Sequence, residues 1–408
     1  MKTSTIKYCF YILIVLSSLT FYNPFGVISA QLGKFIFYFT CLLSIIYACK
    51  KGINLHKTEY PRTAYKMLLI GIILSILMAT FFQEQSFPVS AMATFPFLLS
   101  YLIFYVLMKF NIPKEKIEKA IWAFCFISMS IYIINIITFP NMIFGVEKEE
   151  YDMSRGIVRI GIRSLELMVL FLFYSINQWI ITKKRVYILL ISLITVFIVL
   201  SVTRQVILLS AILSLIFILS KVSLSKKIIT ISFCLLFYFF ILPQIPVYKA
   251  MVELSETQAE KNKYDKEDIR LQAWKFYTYE YQTNNLTPIL GNGIPSIGHS
   301  NWGNEFEKTT YHEYGGNGCF SVDVGWAGFY WNFGLVTTIG LIIILLKAIL
   351  KKKPTNKQYL SYWCIFISIT SIASGPILYY HQIISIITVL YLIYGKDRNN
   401  SSNYPQLQ

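Results

Sequence analysis

Along this chain, apolar runs of about 20 residues alternate with short polar stretches, and a run of that length crosses a bilayer as a helix. The runs begin near residues 7, 33, 65, 92, 117, 164, 186, 205, 228, 324, 359 and 377. They predict an all-α, polytopic integral membrane protein with about twelve transmembrane helices and one large outer loop. The organisation expected is a membrane domain over 1–246 with nine spans, the loop over 247–323, and a second membrane domain over 324–408 with three spans and a short cytoplasmic tail. Lysines precede the first run, but no small-residue cleavage signature follows it and further spans do. It therefore reads as an anchor and not as a removed signal peptide.

One run raises its own question. Residues 186–220, "VYILLISLITVFIVLSVTRQVILLSAILSLIFILS", hold one charge in 35 residues, Arg204. The stretch is too long for one crossing and suits a helical hairpin with Arg204 at its tip. An arginine within lipid costs roughly 2.5–3.5 kcal/mol on insertion scales. Snorkelling to the interface removes part of that cost, and a bound anion would offset the rest.

Charge sets the expected orientation. With the N-terminus in the cytoplasm, the connections near 50–66, 109–119, 182–185, 221–227 and 347–358 and both termini fall inside. They hold 24 of the 37 Lys and Arg and 4 of the 21 Asp and Glu, a net of +20. The outer segments carry a net of −4, so the overall +16 is a topology signal and implies no nucleic-acid partner. Inside, 21 of the 24 basic residues are lysine. Outside stand five of the eight arginines: Arg155, Arg159, Arg163, Arg204 and Arg270. Topology needs only positive charge, whereas the planar guanidinium fork suits bidentate phosphate and carboxylate binding. The outer face thus reads as built to hold an anion.

Two outer segments carry the polar chemistry. In the first, about 140–163, Arg155, Arg159 and Arg163 recur every four residues and would share one helical stripe. Asp152 and Glu166 lie three residues beyond either end, so ion-paired decoration is the alternative to an anion site, and Gly156 and Gly161 weaken a continuous helix. In the second, "KEDIRLQAWKFYTYEYQ" reads as an amphipathic helix with Arg270, Trp274, Tyr277 and Tyr281 on one face. Such rings either stack on sugars or pack at a membrane interface. Next comes "NNLTPILGNGIPSIGHS", whose Gly291, Gly293 and Gly298 demand tight turns or positive backbone dihedrals. His299, His312, Glu313 and Asp323 follow. His312, beside Glu313, is a better candidate base than His299, and Asp323 or Ser321 could instead cap the next helix. Six of the seven cysteines sit in or at the ends of spans and Cys319 stands in the loop. No Cys/His spacing suggests a metal, and no cofactor is expected.

These elements resemble the Wzy-type O-antigen and capsular polysaccharide polymerases and the related O-antigen ligases. The resemblance rests on "SVTRQV" at the outer end of a span, "DIRLQAW", the "TPILGNG" turn, and "YHEY" followed by "SVDVGWAGFYWNFGL", in order over about residues 150–345. It implies a membrane glycosyltransferase at the outer face of a bacterial cytoplasmic (inner) membrane. Such an enzyme transfers a growing glycan from undecaprenyl pyrophosphate to a lipid-linked repeat unit in lipopolysaccharide or capsule synthesis. The lipid-linked oligosaccharide and the bilayer would be its partners, with a chain-length regulator and a flippase nearby. On this reading Arg204, Arg270, Arg155, Arg159 and Arg163 clamp pyrophosphate, and His312, Asp323 or Glu313 accepts the proton of the attacking hydroxyl. Trp274, Tyr277 and Tyr281 hold saccharide. An O-antigen ligase shares the donor and differs only in the acceptor. A transporter or flippase of lipid-linked oligosaccharide also fits twelve spans, but charge-free spans and the lack of an internal repeat count against it.

Overall fold

A computed structural model describes residues 3–19, 25, 27–50, 60–141, 143–144, 151–152, 159–160, 165–201, 203–236, 240, 242–244, 249, 252–253, 256, 268–310 and 319–395. The chain is a helical membrane protein, and each of the twelve apolar runs contains a helix. The first nine are α1 (Thr3–Ser18), α2 (Ala30–Cys49), α3 (Arg62–Phe82), α4 (Phe87–Phe110), α5 (Lys114–Thr138), α6 (Leu165–Thr182), α7 (Arg185–Leu200), α8 (Arg204–Leu219) and α9 (Leu224–Leu236). The loop contributes α10 (Ile269–Lys275), prolonged by a π-turn at Phe276–Glu280, then α11 (Thr287–Leu290) and α12 (Asn301–Lys308). The last three are α13 (Gly325–Leu350), α14 (Tyr359–Thr370) and α15 (Tyr380–Tyr394). Six of these, α2 to α6 and α13, are long and apolar enough to cross a membrane by length and composition. The others are shorter. At 1.5 Å per residue the 16-residue α7 and α8 reach about 24 Å, against about 30 Å of hydrocarbon.

The hairpin expected over 186–220 is present. Helix α7 ends at Leu200, and α8 begins at Arg204, its first residue. The arginine stripe is not what the structure shows at Arg159. Arg159–Ile160 (β2) is a two-residue strand paired antiparallel with Tyr151–Asp152 (β1). A strand has a side-chain period of two where a helix has 3.6, so Arg159 does not stand on the expected helical stripe. Arg155 and Arg163 lie outside the described residues.

The core sits among α3, α4, α13 and α15, with α6 beside α14. Helix α13 lies close against α3. A Cβ on Gly71 would stand 1.8 Å from Thr337 Oγ1, and one on Gly340 would stand 2.8 Å from Ala64 O. Small residues at such crossings let helix backbones approach, the usual way to gain packing energy where lipid removes the hydrophobic drive. Outward-facing Phe35, Phe39, Ile70, Leu189 and Leu208 are exposed, an apolar belt suited to acyl chains.

The connections gather at two opposite ends. At one, Lys7 Nζ donates to Phe110 O (3.1 Å), Tyr8 to Lys116 O (3.4 Å), Tyr391 to Ile112 O and Tyr362 to Ser220 Oγ (3.3 Å). Lys357 and the Tyr359 hydroxyl both hold Glu118 there. The other end collects the α3–α4 turn, the α7–α8 tip, the loop and the α14–α15 turn.

Candidate functional site

At that second end α14 stops at Thr370 and leaves carbonyls without intrahelical partners, as any helix end does. Neighbouring segments supply the donors. Gln205 Nε2 donates to Thr370 O (2.9 Å), Trp326 N to Ser371 O (2.9 Å), Trp274 Nε1 to Ile372 O (2.8 Å) and Gly325 N to Ser374 O (3.1 Å). Thus the first turns of α8 and α13 and the middle of α10 dock on one turn, residues 370–374.

Each docking residue carries a candidate with it. Arg204 adjoins Gln205 and is half-buried. Arg270 lies one turn before Trp274, on a helix whose N-cap Asp268 accepts from Arg270 N (2.8 Å). Asp323 ends a short 3-10 turn, Ser321–Asp323, just before α13. Neither Ser321 nor Asp323 caps that helix. Val324 occupies the N-cap without a side-chain bond, because Ser374 O and Ser371 O already take the first N–H groups of α13. The Asp323 carboxylate is therefore not spent on capping. It is exposed as a residue, yet enough protein surrounds the carboxyl to raise its pKa above the usual carboxylate value, and the Arg270 guanidinium opposes that rise. The structure thus brings Arg270 and Asp323 into electrostatic contact. His312 and Glu313 lie outside the described residues. His299 sits exposed in the turn before α12.

Tyr379, Glu166 and Gln382 stand behind this pair, and no motif or spacing singles out the tyrosine or the glutamine. Glu166, in the first turn of α6, is buried and accepts from Gln382 Nε2 (2.7 Å). Among the described residues its side-chain partner is this amide. Burial raises the Tyr379 hydroxyl, and the charges of Asp323 and Glu166 push it further in the same direction.

The aromatic face of α10 is mostly committed to packing. Tyr277 is 1% exposed and donates to Cys319 O (2.7 Å), and its ring meets Phe276, Phe306 and Trp331. Tyr281 stacks on Phe276 with centroids 5.0 Å apart and lies beside Trp331, whose indole N–H donates to Tyr281 O (2.7 Å). These rings form a small core of the loop, separate from the helical core. The expectation that Tyr277 contacts saccharide is corrected by its burial. Its neighbour Cys319 is buried too, and burial, with the charges of Glu280 and Asp323, pushes that thiol up to about 11, which keeps it an inert thiol.

The "GNG" turn answers to a break in α13. Gly334 has φ 77° and ψ 173° inside that helix, so the carbonyls of Trp331 and Asn332 turn outward. Asn292 N and Gly293 N take them at 2.8 and 2.9 Å. Gly291, at φ 87°, passes so close that a Cβ would lie 2.4 Å from Asn332 O. The positive dihedrals expected at Gly291, Gly293 and Gly298 are all present. The turn is also held from the α3–α4 connection, whose two glutamines belong to no motif in the sequence. Gln83 Nε2 reaches Asn292 Oδ1 (3.1 Å), and Gln85 reaches Ile294 O, Ser296 N and Ser300 Oγ at 3.1, 2.9 and 2.8 Å. Both glutamines are buried. A scan against protein-family models and a search of curated proteins each found no match to this sequence.

Proposed function

We propose that this protein is a polysaccharide polymerase of the Wzy type, with about twelve spans, both termini in the cytoplasm and the site end facing outward. It transfers a growing glycan from undecaprenyl pyrophosphate to the end of a lipid-linked repeat unit. The observation that carries the reading is the convergence of Arg270, Asp323 and the arginine-bearing tip of α8 on the 370–374 turn, at one end of an apolar helical bundle. Polar chemistry confined to one end suits a reaction at a membrane surface. A pathway through the bundle would place ionisable residues at mid-depth.

The reaction requires one bond made and one broken. A hydroxyl oxygen of the acceptor sugar attacks the anomeric carbon of the donor, and the bond from that carbon to the pyrophosphate oxygen breaks. Asp323 takes the hydroxyl proton, the role of a general base. Arg204 and Arg270, with the arginines of the 140–163 segment, receive the charge that develops on the leaving pyrophosphate. Preorganised donors of this kind are commonly the largest contribution to rate.

Deleting the gene is expected to collapse the surface-polysaccharide ladder to single repeat units on a gel. Restoring the wild-type protein returns the ladder. Lipid-linked long polymer in the deletion strain would point instead to the ligase, and an unaltered ladder would sink the assignment for that glycan.

A second expectation concerns pH. Asp323 must be ionised to take a proton, and its raised pKa moves the acidic limb of the rate profile above that of an ordinary aspartate. Arg270 pulls the pKa back down, so Arg270→Gln should shift the limb to higher pH, besides lowering the rate. A limb that stays in place, measured as turnover against pH on purified protein, would separate Asp323 from the base.

A further inference from the structure

Three consecutive carbonyls at the end of α14 accept from three different segments. Thr370 O accepts from Gln205, Ser371 O from the main chain of Trp326, and Ile372 O from Trp274. Backbone carbonyls at a helix C-terminus carry partial negative charge, so N–H donors are well placed there. Trp326 is fixed by the entry of α13 into its helix. The other two donors are side chains, and each is mounted beside an arginine. Arg204 precedes Gln205 by one residue, and Arg270 precedes Trp274 by one helical turn.

A tryptophan indole has one donor and no acceptor, and that donor is used at 2.8 Å on Ile372 O. The ring is partly buried against the aromatic core of the loop, which leaves it less open than a sugar-stacking platform. Resting on the polymerase reading above, we propose that Trp274 and Gln205 are positioning residues whose N–H groups tie the two arginine-bearing helices to the α14 carbonyls. The bonds set the spacing of Arg204, Arg270 and Asp323. Neither side chain needs to touch substrate. Groups that must meet a reacting centre lose up to about a hundredfold in rate when displaced by about 1 Å, so a single lost tether is expected to register in turnover.

The test uses full-length protein in lipid nanodiscs, with undecaprenyl-pyrophosphate-linked repeat units extracted from source cells lacking the gene. Turnover is expressed per folded molecule, with folded protein measured by its unfolding transition. Trp274→Phe keeps an aromatic ring and removes the N–H; Gln205→Leu keeps the bulk and removes the amide. Each is expected to lower kcat about tenfold or more while KM for the lipid-linked unit stays within about twofold, and Trp274→Ala should be affected in the same direction. Near-normal kcat in Trp274→Phe with a raised KM in Trp274→Ala would overturn the proposal in favour of sugar stacking. Loss of folded protein with unchanged turnover per folded molecule would overturn it in favour of a purely structural tie. Failure of the wild-type protein to make any polymer would remove the polymerase reading, and the proposal with it, a result distinct from either of the others.

Discussion

Cells in which Arg204→Lys replaces the wild-type protein are expected to make single repeat units, like cells lacking the gene. The argument turns on what lysine keeps and what it loses. Both side chains carry a positive charge and both snorkel, so an arginine present only to mark an interface could be exchanged freely. Lysine offers a point charge on a flexible stem, whereas arginine presents a rigid fork that matches two phosphate oxygens at once. Arg204 is the first residue of α8 at a hairpin tip, half-buried, and its neighbour Gln205 is bound to Thr370 O. The backbone that aims it is therefore held. Removing one preorganised donor to a developing anion costs about 10²–10³ in rate, enough to leave a gel ladder short. Near-normal polymer from Arg204→Lys at normal protein level would reduce this residue to a simple charge.

Gly291→Ala should be the most damaging small substitution in the loop, and its effect should appear as lost protein before it appears as lost activity. The backbone at Gly291 has φ 87° and ψ 160°, a region that side chains other than hydrogen enter only at about 1–3 kcal/mol. The added methyl would also meet Asn332 O at 2.4 Å and Phe333 at 2.6 Å. Overpacking of this kind costs about 1–3 kcal/mol more. Relief by movement is barred, since Asn292 N and Gly293 N must stay on the carbonyls of the broken α13. Gly334→Ala probes the same contact from the other side, where a Cβ would stand 2.3 Å from Ile289 O. Both variants are expected to lower the unfolding midpoint and the amount of protein recovered from membranes. Wild-type midpoints would show that the turn can move away from the helix.

Much of this architecture is local, and that part is readable without coordinates. Apolar runs locate the helices because each satisfies its own backbone. The 34 uncharged positions around Arg204 in 186–220 define a hairpin because one helix of that length has no bilayer to match. The glycines at 291, 293 and 298 announce positive dihedrals for the same local reason. What escapes is the choice of distant partner. Nothing in "GFYWNFGLV" separates a continuous helix from one broken at Gly334, because the deciding donors come from Asn292 and Gly293. Trp274 and Tyr277 look alike on a helical wheel, yet one reaches out to Ile372 O and the other is sealed against Trp331 and Cys319. Gln205 is one of several polar residues at the hairpin tip, and its acceptor is 165 positions away. For Arg159 the four-residue spacing suggests a helix, whereas the structure pairs it as a short strand with Asp152.

The glutamines of the α3–α4 turn also have a bearing on how the chain is made. Their acceptors and donors in the loop lie 200 to 215 positions downstream. At about 5–20 residues per second of synthesis, that turn leaves the ribosome roughly 10–40 s before Asn292, Ile294 and Ser300 exist. For that interval Gln83 and Gln85 lack the loop partners they bind in the finished fold. A nascent chain of 246 residues carries α1 to α9 and still lacks the segments that pack against α3 and α4. The C-terminal part of the chain thus acts as a keystone for the first helices, since a prematurely ended chain would lack both the loop that binds these glutamines and α13 and α15, which pack on α3 and α4.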